Sequence, residues 1–423
     1  MKIKSLKIEN FKSFEKQELQ FDKVNIIIGA NATGKSNLVT AIRFINNVVQ
    51  YGIEDAISLL GGINFATNIN MPKGTPMKMA IVFEPDCEWS RHLSRKNDER
   101  ACLTAIDYSF SIAQNLRGHN YKILHESCSF HYALIPADCD NNVEYVKKQG
   151  EENAFRYFIE RERNSYQAKV LENKTKYNET QLNEFLGLKF IEKILKEDKQ
   201  ELILNKISLF VPPIYFRNDS MKIYDFDPKL LKLSSPIIAK KSLEENGANI
   251  SIVLQQILKD KKKRDKLIKL VESCLPYVKS LEVENNIDKS VSYTITEKYN
   301  TQSLYAQFLS DGTVSILALI IALYFNKNEQ VIVLEEPERN LHPQLMRKLI
   351  EMIKDVSTKT QVFITTHNPE LIKYAELESI YFASRDKNGF THLTKPIQNE
   401  KVNIFLSNEL GIDELFISNL LGD

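Results

Sequence analysis

Apolar residues along the chain follow three textures. Short, mostly apolar runs at Val24-Asn25-Ile26-Ile27-Ile28, Val331-Ile332-Val333-Leu334 and Val362-Phe363-Ile364-Thr365-Thr366 predict buried strands. Behind the first run, Leu38, Ala41, Ile42, Ile45 and Val49 recur at helical spacing. The middle of the chain alternates: 107–134 and 155–171 read as strands, 182–195 as an amphipathic helix, and 89–100 and 173–181 as a polar loop and turn. Near the end, 380–382 and 391–394 read as strands around the turn at 386–389, and two short helices finish the chain. The longest apolar stretch, from Val314 to Phe325, has about twelve residues where a membrane span needs roughly twenty, so it predicts a buried helix. No sustained heptads, internal repeats or low-complexity segments are present.

The chemistry sits where these elements end. Between the first strand and its helix, Gly29-Ala30-Asn31-Ala32-Thr33-Gly34-Lys35-Ser36 is a complete GxxxxGK[ST] loop, followed by Asn37. Glycines let the backbone approach phosphate oxygens, and the helix N-terminus favours an anion. Lys35 is expected to reach the β- and γ-phosphates and Ser36 to ligate Mg²⁺. The alternative is an ordinary glycine turn, which the strand–loop–helix context argues against. The run at 331–334 ends in Glu335-Glu336-Pro337-Glu338, so a buried strand delivers two carboxylates to the edge where α/β sheets bind ligands. Glu335 is expected to hold the metal and Glu336 to orient and deprotonate the attacking water; a surface acidic turn is the alternative. Ser310, before Asp311-Gly312-Thr313, lies at an N-cap-like position suited to an anion. His367 ends the third run; alone it would read as an ordinary strand-end histidine, but the order phosphate loop, Ser-Asp-Gly, paired Glu, His favours a functional one.

In this combination the chain resembles the ABC-class ATPases related to RecF, SMC proteins and the overcoming-lysogenization-defect ATPases, and is most similar to stand-alone bacterial defence ATPases of the RloA type. The motifs are Ile8-Glu9-Asn10-Phe11-Lys12-Ser13-Phe14, the phosphate loop at 29–37, 309–313, 335–343, 366–371 and Asn246-Gly247-Ala248-Asn249-Ile250. The resemblance implies ATP and Mg²⁺ as ligands, an α/β P-loop NTPase with an ABC-type head (a mixed sheet flanked by helices) and an inserted α+β lobe. It further implies that Ser310 and Gly312 contact the γ-phosphate of a nucleotide bound to another subunit. Asn340, Leu341 and His342 would lie at the dimer interface, and His367 would be the switch histidine. Two departures stand out: Asp311 replaces the usual glycine, and Glu335 the usual metal-binding aspartate. No glutamine completes the metal shell within 61–70.

Motif placement gives a split head, residues 1–85 and 205–423, around a lobe at 86–204. The bulk numbers suit a globular enzyme: 423 residues, 43% apolar, 26% charged, formal net charge +1. That charge excludes a global pull toward nucleic acid, although local binding stays possible. The run Lys259-Asp260-Lys261-Lys262-Lys263-Arg264-Asp265-Lys266 reads first as a solvated turn between helices, second as a phosphate-backbone contact. Five scattered cysteines fit reduced thiols, and Cys128, His131 and Cys139 make only a poor zinc pattern. With no signal-peptide pattern or membrane span, the expectation is a cytoplasmic protein without membrane contact. The chain after His367 is too short for a nuclease domain of about a hundred residues. The expected protein is therefore an ATP-hydrolysing switch in anti-phage defence. It dimerises through its heads and controls a separate effector, a nuclease or toxin. A RecF-like DNA-repair ATPase and a non-catalytic ATP-bound scaffold are the alternatives.

Overall fold

The structure is a computed structural model, and it describes residues 2–85, 90–92, 99–114, 121–136, 146, 148, 152–162, 165–171, 173–186, 202–206, 220–326 and 329–396. The chain forms two compact units, the first from 1–22, 37–220 and 385–393, the second from 23–36, 221–384 and 394–423.

The first unit is built on one antiparallel sheet. Its strands are β1 (Lys2–Phe11), β2 (Phe14–Gln20), β4 (Met77–Glu84), β5 (Ser90–His92), β6 (Glu99–Gln114), β7 (Tyr121–Pro136), β8 (Ala154–Glu162) and β9 (Ser165–Leu171), while β3 (Val24–Ile28) belongs to the second unit. The order is β2-β1-β4-β6-β7-β8-β9, with β5 on β6. The strands β5 to β9 thus continue the sheet that β1, β2 and β4 begin. Burial alternates along β4, as expected for a sheet with one face on a core. The helix Lys35–Tyr51 supplies that core from Asn37 onward: Phe44 lies 5.8 Å from Phe11 and 6.4 Å from Phe110, ring to ring.

Two expectations change here. The stretch read as a loop at 89–100 contains β5, whose Ser90 pairs with Cys102; strand partners override its polar composition. The helix expected over 182–195 runs Glu179–Leu186, and the rest of that range lies outside the described residues. Cys128 is buried, whereas His131, three positions on and so on the other face, pairs with Asp107 at 2.8 Å. Cys139 lies outside the described residues, among which no group of three or more His, Cys, Asp or Glu could hold a metal ion.

The second unit is a parallel sheet with helices. In chain order its strands after β3 are β10 (Met221–Tyr224), β11 (Ser235–Pro236), β12 (Val278–Asn285), β13 (Ser290–Glu297), β14 (Leu304–Tyr305), β15 (Val331–Glu335), β16 (Gln361–Thr366) and β17 (Ile380–Arg385). The parallel order is β10-β15-β16-β3-β17, and β11 to β14 form a small antiparallel sheet. All of β16 and the first four residues of β15 are buried, as in a sheet covered on both faces. The helix Asp311–Tyr324 is buried at every position from Thr313 to Leu323, as its uniform apolarity demands. The basic run is not a turn: Asp260 caps the helix Lys261–Cys274, accepting from the N–H groups of Lys262 and Lys263, so the lysines form its first turn. The strand Thr391–Thr394 forms as expected, and the two terminal helices lie outside the described residues.

One buried charge in the first unit has a measurable consequence. Glu126 on β7 is fully buried and accepts from Tyr108 Oη at 2.6 Å, Ile203 N at 2.5 Å and Tyr166 Oη at 3.1 Å. Burial raises its carboxyl from 4.5 to about 7, against the opposing hydrogen bonds and the nearby Arg161 charge. Its contribution to stability is full below the unfolded value and is lost as pH rises through about 7. Calorimetry of the wild type between about pH 5 and pH 8 should therefore show a fall in melting temperature that Glu126→Gln lacks. Equal pH slopes in the two proteins would contradict this.

Candidate active site

The register of the parallel sheet sets the site. Glu335 pairs with Thr365, and Thr366 with Ile28, so the carboxyl ends of β15, β16 and β3 share one edge. The phosphate loop leaves β3 there. Ala30, Asn31, Ala32 and Ser36 are exposed, Thr33 and Gly34 half-buried, and Lys35 buried at the start of its helix. Gly34 has φ 104°, a conformation that favours glycine. A Cβ on Gly29 would lie 2.5 Å from the Ala383 carbonyl oxygen, so no side chain fits there. Lys35 Nζ donates to the carbonyls of Gly29 at 2.8 Å and Ala30 at 2.9 Å. Burial lowers its pKa, and the charges of Glu336 and Glu338 oppose that shift.

Beyond Glu335 the chain turns sharply: Glu336 has φ 44°, rare for a residue with a side chain, and its N–H donates to the Thr365 carbonyl at 2.9 Å. This turn brings Glu336 Oε1 to 3.1 Å from His367 Nδ1, while Oε2 accepts from Arg339 Nη2 at 3.0 Å. Burial pushes the Glu336 carboxyl up, but Arg339 and His367 together hold it below the ordinary value, so it is ionised at neutral pH.

Lys35, Glu335, Glu336 and His367 thus come to one sheet edge. Ser310 and Gly312 make local contacts at the start of their own helix and to the loop after Glu338. Ser310 caps the helix Asp311–Tyr324 by accepting from Thr313 N, and a Cβ on Gly312 would lie 2.9 Å from the Asn340 carbonyl oxygen. Asp311 pairs with Lys232 at 2.5 Å. Asn37 belongs to the first unit, where its amide donates to Ser13 Oγ at 2.6 Å. His342 accepts from Gln344 N as a helix cap, and Leu341 is buried.

Sequence reading passed over Glu338. It is buried, bonds the Thr366 hydroxyl, and is raised above the ordinary carboxylate value by burial. The signal was available: a third carboxylate follows Pro337 within the same short turn.

The residues present fit a nucleoside triphosphate and Mg²⁺. A side-chain-free approach at Gly29, a buried ammonium and an exposed Ser36 hydroxyl suit bound phosphates. Ser36 and Glu335 provide the two oxygen donors that Mg²⁺ takes from a protein when phosphates and water fill the rest of its shell.

The model of the family described as AAA ATPase domain matches residues 1–372. The chain is similar to the Septu protein PtuA of Bacillus thuringiensis, 26% identical over 146 residues, covering 30% of this chain and 37% of PtuA. It is also similar to the DNA replication and repair protein RecF of Bacillus thuringiensis strain Al Hakam, 54% identical over 43 residues, covering 10% of this chain and 12% of RecF. The chain therefore spans well under half the length of these relatives. In fold it resembles an SMC head solved bound to the C-winged helix domain of ScpA, with TM-score 0.50, 12% identity, and 93% of this chain and 98% of that chain covered.

Replacing Lys35 by Ala removes the buried ammonium that would face the phosphates. Titration calorimetry should show ATP affinity weakened by at least about tenfold with the fold retained, the scale of a lost charge-assisted hydrogen bond. Wild-type affinity in this variant would mean that nucleotide binds elsewhere.

Proposed function

Since this chain belongs to the AAA ATPase domain family and has the ABC-type head of the RecF and SMC class, we propose that it binds ATP with Mg²⁺ and hydrolyses it. The observation that carries this reading is the 3.1 Å pairing of His367 with Glu336 beside the buried Lys35. Lys35 and the loop 29–36 would hold the phosphates, and Ser36 and Glu335 would hold the metal, which would neutralise phosphate charge. Glu336, ionised and fixed by His367, accepts the proton of the attacking water.

Ser310 and Gly312 lie at the N-terminus of the helix Asp311–Tyr324, and the resemblance to ABC-class ATPases favours a sandwich in which they close over a second subunit's nucleotide. We assign residues 86–204 to a lobe inserted into the head, available to a partner. The resemblance to defence ATPases and the partial similarity to PtuA favour a switch in anti-phage defence, acting on a separate nuclease or toxin. The short stretch of similarity to RecF favours a second reading, ATP-gated DNA binding in repair. A shift of duplex DNA by the protein and ATP alone would select it. Among the described residues no helix is long and apolar enough to cross a membrane.

Glu336→Gln keeps the shape of the base and removes its charge. ATP should still bind, hydrolysis should fall at least about a hundredfold, and an ATP-bound dimer should accumulate. Ser310→Arg in the same background should prevent that dimer by bulk. Light scattering with and without ATP reads both effects. Normal hydrolysis in Glu336→Gln would remove the base assignment, and a mass that ignores ATP would remove the sandwich.

A further inference from the structure

Two side-chain rungs join the loop after β15 to the loop after β16. The first is the Glu336–His367 pair. The second belongs to Glu338, which the reaction as described does not use. Glu338 is only 4% exposed. Its Oε1 accepts from the Thr366 hydroxyl, and that hydroxyl oxygen accepts the Asn368 N–H at 3.0 Å. Asn368 in turn caps the following short helix, its Oδ1 accepting from Glu370 N at 2.9 Å. His367 therefore sits between two residues that are tied down. The other oxygen, Glu338 Oε2, is buried and has no hydrogen-bond partner among the described residues. A buried carboxylate with an unmatched oxygen is costly, so stability alone does not account for this side chain. Its charge also acts on the buried Lys35.

We infer that Glu338 and Thr366 form one positioning unit that holds the His367 loop against Glu336, serving hydrolysis rather than nucleotide binding. The inference rests on the hydrolytic reading above. Without the second rung, the strand end before His367 loses its tie to the loop after β15, and among the described residues the His367 side chain keeps its pairing with Glu336. A displacement near 1 Å at such a point lowers a rate by up to about a hundredfold.

The test compares kcat and ATP dissociation constants for Glu338→Ala, Thr366→Val and the double variant, with His367→Ala as reference. Thr366→Val keeps the β-branched shape inside the strand and removes only the hydroxyl. Each single variant should lower kcat between about tenfold and a hundredfold, with ATP affinity within about twofold of wild type. The double variant should be no worse than either single one, because the two residues act as one unit. Thr366→Ser, which restores the hydroxyl, should recover the rate. Three results would overturn the inference while leaving the hydrolytic reading intact: His367→Ala impaired but the single variants normal; effects that multiply in the double variant; or ATP affinity falling in step with kcat. Wild-type hydrolysis in His367→Ala would instead overturn the switch reading, and this inference with it.

Discussion

Parallel pairing of β15, β16 and β3 in a single register is the constraint on which the candidate site depends. Side chains in a strand alternate between faces, so a slip of one residue would turn each of them over and part Glu336 from His367. Burial holds the register. Ile26, Ile28, Ile332, Leu334, Val362 and Ile364 belong to one continuous hydrophobic core with the helices around the sheet. A sheet covered on both faces tolerates polar chemistry chiefly where its strands end. The loop lysine, the paired carboxylates and the histidine therefore gather at one edge.

At that edge environment, rather than residue type, decides what each acid can do. Glu336 and Glu338 are two positions apart, yet their carboxyls shift in opposite directions. Burial raises both, but Arg339 and His367 outweigh it at Glu336, whereas the Thr366 bond and more distant charges do not at Glu338. A carboxylate that stays ionised suits a base that accepts a proton from water. A deeply buried one bonded to a strand-end hydroxyl suits holding backbone in place. Lys35 lies in the field of both, and its loop carbonyls satisfy it until a polyanion offers a stronger set of acceptors.

The segment from 310 to 324 shows a different division of labour. Its helix is apolar on every side and is buried accordingly, so its outward chemistry is confined to the first turn. There Ser310 caps the helix, and Asp311 is matched by Lys232. Gly312 lies so close to the Asn340 carbonyl that a side chain would collide with it, which ties this turn to the loop after the paired glutamates.

Much of the site was legible from local pattern. The glycine loop, the carboxylates after 331–334 and the histidine after 362–366 each follow a run whose apolarity alone marks a buried strand, and short-range spacing suffices to place such residues at strand ends. The middle region was less legible. The polar stretch at 89–100 contains a strand because β6 pairs with it, and the lysine-rich run begins a helix because Asp260 caps it and Leu267 and Val271 anchor it. Glu126 could not be told from a surface acid, and at Glu338 the sequence marked a third carboxylate in the turn but not its burial, since residues distant in sequence bond them: Tyr166 and Ile203 for one, Thr366 for the other. The sequence by itself determined the class of fold, the phosphate loop and the identity of the paired carboxylates, because these depend on neighbours within a few residues. Only the tertiary structure decided which carboxylate meets His367 and which is buried against Thr366, because strand register and long-range burial set those distances.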